Sequence, residues 1–336
     1  MPLFSIFRRR ASQGLPALAA VSASLALAAQ TTDTATAFEA RFAPLHAIVF
    51  TDGGTYSGSA MSADLKALEP LVHQPGATTR DVFRLYHAEA IVYGRRGMPE
   101  EAVVAARKAL VAMPKTSSAE LAYPHFSLRI ASIRWLSDAG EYDAALKLIH
   151  SFQAQYPLQR IASLPPQMRW DKSHSVEQAR DFPSQLQILG VYEDEGYVLH
   201  EQGKYREAKQ ANERLLPVAR ERLKALGIPE KLRSVLANIA QNCYELCELD
   251  QAQAYLQERL QIALAAHDHA TVYDCYFQLM VLANEQKQVT QARQWLTLYG
   301  QYAQTQKNSE QMARAKELQT ELDSRQSKRT HPTDKP

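Results

Sequence analysis

The sequence predicts an all-α protein built from stacked antiparallel helix pairs, and three observations support this. The 336-residue chain is 46% hydrophobic and 22% charged, a composition typical of globular proteins. Apolar residues recur three and four positions apart over most of its length, which indicates amphipathic helices. A turn residue followed five positions later by alanine recurs along the chain. Such a recurrence predicts a repeat architecture.

The first 28 residues are predicted to be a secretory signal peptide. Three arginines, Arg8 to Arg10, precede an uncharged apolar run from Leu15 to Ala29, and no acidic residue occurs before Asp33. A basic flank before a short apolar run that ends in small residues is typical of such signals. We expect cleavage after Ala28, with export to the periplasm or beyond. A mitochondrial transit peptide and an alanine-rich helix of the fold are the alternatives.

One helix–turn–helix pattern recurs five times along the sequence, and its first copy is the clearest. Small residues at fixed positions let two antiparallel helices approach to about 8–10 Å, while aromatic residues fill the wedge towards the next pair. Five copies begin near residues 83, 126, 189, 233 and 273. The alanines expected at the helix crossings are Ala102, Ala145, Ala208, Ala252 and Ala292. The first copy places its characteristic residues at Tyr86, Ala90, Tyr93, Gly97, Ala102, Ala106, Ala109 and Pro114.

Over residues 80–306 this pattern resembles the tetratricopeptide repeat. The first copy departs from it by carrying Ala106 where a bulky residue is usual. Successive copies are 43, 63, 44 and 40 residues apart, longer than the usual repeat of about 34. The resemblance implies a right-handed superhelix of antiparallel helix pairs, with capping helices at both ends.

The domain organisation follows from these repeats. Residues 29–82 are expected to form an N-terminal helical cap, with one helix over Ala35–Phe50 and another over Ala63–Val72 that uses Ser62 as its N-cap. A Gly/Ser loop, 51–60, separates the two helices. The repeats occupy 83–306 and include a proline-containing insertion at 160–187. A capping helix, 307–323, and a disordered basic tail, 324–336, are expected to follow.

No catalytic arrangement stands out in the sequence. The segment from Gly54 to Gly58 has the wrong spacing for a nucleophile elbow and lacks the ending of a phosphate-binding loop. The His267–His269 turn, with Asp274 and Cys275 nearby, could supply zinc ligands, but polar residues are expected at any turn between repeats. We therefore expect no enzymatic activity, no metal and no cofactor.

Cysteine content and charge exclude two further classes of protein. Three cysteines cannot form a disulfide framework. Cys243 and Cys247 lie four residues apart on one predicted helix, where they are expected to be buried free thiols. The formal net charge is +2, and removing the signal with its three arginines would lower it to about −1. The strongly basic surface of a nucleic-acid-binding protein is therefore not expected.

The family resemblance also implies a binding surface. In tetratricopeptide repeats the first helix of each pair lines a concave groove. Carried over to this chain, the expected groove is basic at its N-terminal end and polar-aromatic beyond it. The family's carboxylate-binding Lys and Asn positions hold His87 and Ile91 here, so recognition of a C-terminal carboxylate of that type is not expected. The groove candidates are Arg84, His87, Arg95, Arg134, Glu193, Tyr197, His200, Gln241, Tyr244 and Asn284.

The sequence thus favours a scaffold that binds a protein or peptide partner in this groove. If the signal peptide is real, the protein is an adaptor or assembly factor of the cell envelope, with no membrane span after cleavage and no nucleic-acid partner. The alternative is a ligand-responsive regulator or sensor, possibly cytoplasmic, in which the insertion at 160–187 closes over a peptide or small molecule.

Overall fold

The computed structural model describes residues 34–51, 58–74, 76–113, 119–163 and 185–330. The predicted signal peptide and its cleavage site lie outside the described residues. So do the centre of the 51–60 loop, most of the 160–187 insertion and the last six residues of the chain.

The described residues are helical, with no strand among them, so the all-α prediction is confirmed. A short 3₁₀ helix, Pro229–Lys231, precedes the fourth repeat. None of the described helices combines the length and the apolar character needed to cross a bilayer. In chain order the α-helices are α1 (Thr34–Thr51), α2 (Gly58–Lys66), α3 (Glu69–Val72), α4 (Thr79–Arg95), α5 (Pro99–Ala112), α6 (Ala119–Asp138), α7 (Tyr142–Gln155), α8 (Leu158–Ala162), α9 (Gln185–Glu201), α10 (Tyr205–Ala225), α11 (Leu232–Glu245), α12 (Leu249–Ala265), α13 (His269–Glu285), α14 (Val289–Thr305) and α15 (Ser309–Thr330).

Five helix pairs form the body of the molecule: α4/α5, α6/α7, α9/α10, α11/α12 and α13/α14. The second helix of each pair packs on the first helix of the next pair, and α14 packs on α15. All five predicted crossing alanines are fully buried, at 0% exposure. Because an alanine side chain fills little space, the two helices of each pair can pack closely at these points. The predicted stack of repeats is therefore confirmed.

The turns inside the pairs share one backbone conformation. Gly97, Gly140 and Gly203 have φ values of 69°, 78° and 74°, in the left-handed region. Cys247 and Lys287 occupy the equivalent positions of the last two repeats with φ values of 60° and 62°. The packing of each pair thus imposes a left-handed turn even where the residue is not glycine, at a cost of about 1–2 kcal/mol.

The N-terminal cap packs against the first repeat. Phe38 and Phe42 of α1 and Leu65 of α2 join the apolar face of α4 in one buried cluster. The predicted second helix is wrong in detail, because α2 begins at Gly58 and Ser62 lies inside it, where its Oγ accepts a hydrogen bond from Arg96 at 2.9 Å. After α2 the chain turns into α3, which has Pro70 in its first turn, a position where the missing N–H costs nothing.

The C-terminal end is closed by α15. Leu318 and Leu322 are 2% and 4% exposed against α14 and α13, and the outer side of the helix is polar. The helix continues to Thr330, so residues 324–330 are helical where the sequence predicted a disordered tail. No proline or glycine occurs between Ser309 and His331, and helix propagation is favourable once a helix is nucleated.

Candidate partner-binding groove

Consecutive first helices meet along one face of the stack. Helix α9 packs against α6 on one side and α11 on the other, and α6 also contacts α4. Five of the ten groove candidates contact a residue of a neighbouring first helix: Arg134, Glu193, Tyr197, His200 and Tyr244. They therefore share a face, and they join neighbouring repeats along it.

Arg134 of α6 lies at the centre of this face. Its guanidinium forms an ion pair with Asp194 of α9, with a 2.6 Å N–O distance, and lies 4.0 Å from the ring centre of Tyr197. The Tyr197 hydroxyl donates a 3.4 Å hydrogen bond back to Asp138 of α6. A cation held between a carboxylate and an aromatic ring is a defined, partly desolvated arrangement. About half of the Arg134 side chain, 47%, is exposed and can contact a ligand.

Two carboxylates beside Arg134 are partly desolvated. Glu193 accepts hydrogen bonds from Ser234 at 3.2 Å and from Asn238 at 3.4 Å, both on α11. Burial raises the pKa of Glu193 and of Asp194 above their ordinary values. Negative charge therefore lies in the groove at a point where solvent screens it poorly.

The contacts continue through the last repeats. His200 Nδ1 lies 2.8 Å from Asn242 Oδ1 of α11. The Tyr244 hydroxyl donates a 2.7 Å hydrogen bond to Glu285 of α13. Gln241 donates to Glu245, one turn along its own helix, at 2.9 Å. Asn284 is 7% exposed and so offers little surface to a partner.

The N-terminal end differs from the expectation of a basic groove. Arg84 forms an ion pair with Glu39 of α1, and its guanidinium lies 4.8 Å from the ring centre of Phe42. Arg95 donates a 2.7 Å hydrogen bond to the carbonyl of Val49, near the end of α1. Helix α1 therefore contacts both arginines, but it covers most of the Arg84 side chain and leaves Arg95 exposed.

His87, the third candidate of the first repeat, is only 6% exposed. Its ring lies 4.9 Å from that of Phe50 and 5.5 Å from that of Phe83. Burial, together with the nearby His46 and His125, lowers the pKa of His87 to about 4. His87 is thus a neutral part of the packing between α1 and α4 near neutral pH.

The sequence reasoning missed a row of acidic residues on the groove face. One carboxylate lies two positions before the turn residue in each of the last four repeats, at the position where the first repeat has Arg95. The sequence alone could have indicated these residues, because each lies at the same distance from the turn residue of its repeat. We call these residues the carboxylate row: Asp138, Glu201, Glu245 and Glu285.

The suggested zinc ligands have other partners. Asp268 caps α13 by accepting a hydrogen bond from the Thr271 amide and forms an ion pair with Arg233 at 2.7 Å. Asp274 pairs with Arg259 at 2.6 Å, and His269 contacts the Tyr302 hydroxyl. In the described ranges no three His, Cys, Asp or Glu side chains are arranged to hold a metal ion.

The cysteines are free thiols, with one correction to their placement. Cys243 and Cys275 are buried, whereas Cys247 is exposed. The prediction of two buried thiols on one helix is wrong because α11 ends at Glu245, so Cys247 falls in the turn beyond it.

Comparison with known proteins supports the fold. The match to the crystal structure of the apo form of RapI spans 80% of this chain and 67% of the RapI chain, with a TM-score of 0.57 and 15% identity. PilF of Pseudomonas aeruginosa, with a TM-score of 0.39 and 18% identity, covers 76% of this chain and 95% of its own. BtubC from P. vanneervenii, with a TM-score of 0.40 and 15% identity, covers 70% of this chain and 92% of its own. No family model and no curated protein matches the sequence. The buried alanines, the left-handed turns and the likeness to RapI together show a tetratricopeptide-like helical-repeat fold.

Proposed function

We propose that the protein is a non-enzymatic scaffold that holds a protein or peptide partner against the groove formed by its first helices. The observation that supports this most is the half-exposed cluster of Arg134 and Tyr197, fixed by contacts across α6 and α9. Arg and Tyr are the residue types most often found as energetic anchors of interfaces. Side chains already held in place lose little conformational freedom on binding.

The two buried thiols, Cys243 and Cys275, are poorly suited to covalent catalysis. Burial raises the pKa of Cys243 to about 11 and that of Cys275 to about 12. A thiol acts as a nucleophile in its thiolate form, and at these pKa values the thiolate is scarce near neutral pH. These two cysteines are therefore suited to packing between helices.

Export to the cell envelope is the second part of the proposal, and it rests on the sequence of residues 1–28. Fractionation of C-terminally tagged protein, with mass spectrometry of its N-terminus, tests it. A periplasmic protein that begins at Ala29 is the expected result. A cytoplasmic protein whose N-terminus still lies at or next to Met1 would contradict export. It would leave the proposal of groove binding unaffected.

A photo-cross-linking amino acid placed in living cells tests the groove itself. Gln241 on α11 and Gln257 on α12 are both half-exposed glutamines, but only the first lies on a first helix. We expect the cross-linker at position 241 to capture a partner protein and the matched one at 257 to capture little. Capture at 257 without capture at 241 would place the interaction on the second helices and overturn the groove assignment.

A further inference from the structure

The second helices α12 and α14 leave a pocket of about 460 Å³ between them. Helix α12 contributes Leu260 and Leu264 to its lining, and α14 contributes Trp295 and Leu298. Between these two helices the lining includes the ring of Tyr276, from the first helix α13, whose centre lies 6.2 Å from that of the Trp295 indole. A pocket of this volume with aromatic and aliphatic walls can hold a small molecule.

The pocket is open because no connecting segment of the chain fills it. In the third repeat, the short helix α8 packs on α10 and buries Leu158 and Ile161, which are 8% and 3% exposed. Between α10 and α12, the 3₁₀ helix Pro229–Lys231 contacts both second helices. By contrast, only residues 266–268 connect α12 to α13. The chain therefore closes two earlier wedges between repeats and leaves this one accessible.

The aliphatic residue at the edge of the pocket has no counterpart in the other repeats. Leu298 is 39% exposed, whereas the other large hydrophobic side chains of α12, α13 and α14 are buried or half-buried. It lies six residues beyond the crossing alanine, Ala292, and the other four repeats have a charged or polar residue at that distance. Those residues are Lys108, Ser151, Arg214 and Glu258. Beside an apolar pocket, an exposed leucine at this position favours an apolar ligand.

The Tyr276 hydroxyl lacks the hydrogen bond that its counterparts form. Tyr86, Tyr192 and Tyr276 each lie eleven residues before the turn residue of their repeat. Tyr86 donates a 2.8 Å hydrogen bond to Glu69 of α3. Tyr192 donates a 3.0 Å hydrogen bond to the carbonyl of Tyr156, just before α8. Among the described residues, the Tyr276 ring has aromatic neighbours but its hydroxyl has no hydrogen-bond partner. In the third repeat, a carbonyl oxygen and two aliphatic side chains thus fill the space that corresponds to this pocket.

Charge and area determine the class of ligand. Glu258 is the charged residue of the described lining, and it forms an ion pair with Arg220 at 2.8 Å. The pocket therefore offers no unpaired charge to an ionic ligand. The surrounding surface is polar, with Gln261, Arg293 and Gln294 exposed. A specific protein interface buries about 800 Å² on each partner, whereas the apolar surface here ends at the edge of the pocket. These properties favour a neutral small molecule over a protein.

We propose that this pocket binds a free, neutral small molecule that has branched aliphatic groups and a carbonyl oxygen. The carbonyl accepts a hydrogen bond from Tyr276, as the Tyr156 carbonyl does from Tyr192. The aliphatic groups pack against Leu298 and the Trp295 indole. The site lies between second helices, away from the groove of the first helices, so this inference does not depend on the proposed function.

Ligand-observed NMR titration with two capped dipeptides tests the chemistry. N-acetyl-leucyl-leucine methylamide supplies neutral carbonyls and branched aliphatic groups. Its asparaginyl-asparagine counterpart has the same number of non-hydrogen atoms but polar side chains. Because apolar burial favours the first probe, we expect it to bind about tenfold more tightly than the second. No binding of the leucine probe, or equal binding of the two probes, would overturn the proposal.

Three single variants test the location. Leu298→Lys introduces a charge at the edge of the pocket, where the first repeat already has a lysine at the corresponding position. We expect it to weaken binding of the leucine probe by about tenfold or more. Tyr276→Phe removes only the hydroxyl and should weaken binding by about threefold to tenfold. Val111→Lys on α5, at a residue that is 81% exposed, is the control and should leave the affinity unchanged. An equal loss in Leu298→Lys and Val111→Lys would place the probe elsewhere and overturn the assignment.

The cross-linker at Gln257, a residue that also lines the pocket, distinguishes a free molecule from a protein segment. Capture of a protein at position 257 that excess leucine probe prevents would identify a protein segment as the occupant and overturn a free ligand. The two proposals fail separately. Capture at Gln241 without binding of the leucine probe would remove this site and leave the scaffold. Probe binding that Leu298→Lys abolishes, without capture at Gln241, would support this site and not the scaffold.

Discussion

The first and third repeats use equivalent groove positions in opposite ways. In the first repeat, Arg84 and His87 are packed under helix α1, with His87 only 6% exposed. In the third repeat, Glu193 and Tyr197 remain half-exposed and are held by side chains of the adjacent first helices. Position within a repeat therefore decides which way a side chain points. Whether that side chain is available to a partner depends on the element stacked beside it.

The largest expected effect comes from the packing that covers the first repeat. Phe42 is 0% exposed, stacks on Phe38 at 5.0 Å and lies under Arg84. Replacing it with alanine leaves a cavity, so we expect Phe42→Ala to cost about 3–5 kcal/mol in the free energy of unfolding. Urea denaturation followed by circular dichroism measures this. Phe50→Ala, at a ring that is 36% exposed, is the control and should cost much less; equal losses would show that α1 is not anchored through Phe42.

Protonation of His87 should destabilise the same region as pH falls. Its pKa in the folded protein is lowered to about 4, mainly by burial, whereas an unfolded histidine titrates near 6.5. The unfolded chain therefore binds more protons between these values. The full stability is present above pH 6.5, and up to about 3 kcal/mol is lost as pH falls towards 4. In denaturation measured across this range, His87→Phe should flatten the slope, and an unchanged slope would contradict the burial of the imidazole.

Glu89 and Glu195 occupy equivalent positions in the first and third repeats and should respond oppositely to neutralisation. Glu89 is 6% exposed with one carboxylate oxygen unpartnered in the described structure, and burial followed by the charge of Glu69 raises its pKa to about 7. Glu195 instead pairs with Arg214 at 2.6 Å and accepts from Gln153. We expect Glu89→Gln to stabilise the protein, whereas Glu195→Gln removes a charge partner and should destabilise it.

The pH dependence of the stability tests whether Glu89→Gln stabilises the protein for the reason given. The folded pKa lies above the unfolded value of about 4.3, so the stability present at low pH is lost as pH rises towards 7. The advantage of Glu89→Gln should therefore grow over that range and reach on the order of 2–3 kcal/mol at pH 8. An advantage that is constant with pH would mean that Glu89 is already paired in the folded protein.

The smallest expected effect concerns the turns. Lys287 has a φ of 62° at the position where Gly203 has 74° in the third repeat. Because glycine adopts this conformation without strain, Lys287→Gly should stabilise the protein by about 0.5–1 kcal/mol. Gly203→Ala should destabilise it by a similar amount. Thermal unfolding of the two variants measures both changes in stability. If Lys287→Gly destabilises the protein, the lysine side chain stabilises the turn by other contacts.

The fold was predictable because its determinants are local. The five-residue distance from turn to alanine depends on one helix pair, and it identified all five pairs even where Cys247 and Lys287 replaced glycine. The end of α15 was missed because composition alone suggested disorder beyond Asp323, although nothing in 324–330 stops a helix.

The groove was predictable only in part, because its properties arise between helices that are distant in sequence. Arg134 and Asp194 are 60 residues apart, and Arg84 and Glu39 are 45 apart. Helical periodicity placed Arg134 and Arg84 on the same face, but it could not show that one is covered and the other half-exposed. The carboxylate row was within reach of the sequence, since its members keep a constant distance from the turn.

We expect partners to bind along the first helices of the repeats. Hydrogen–deuterium exchange of the complex with the partner captured through Gln241 tests it most directly. We expect slower exchange in α6, α9, α11 and α13 on binding, with little change in α7, α10, α12 and α14. Protection confined to the second helices would contradict it.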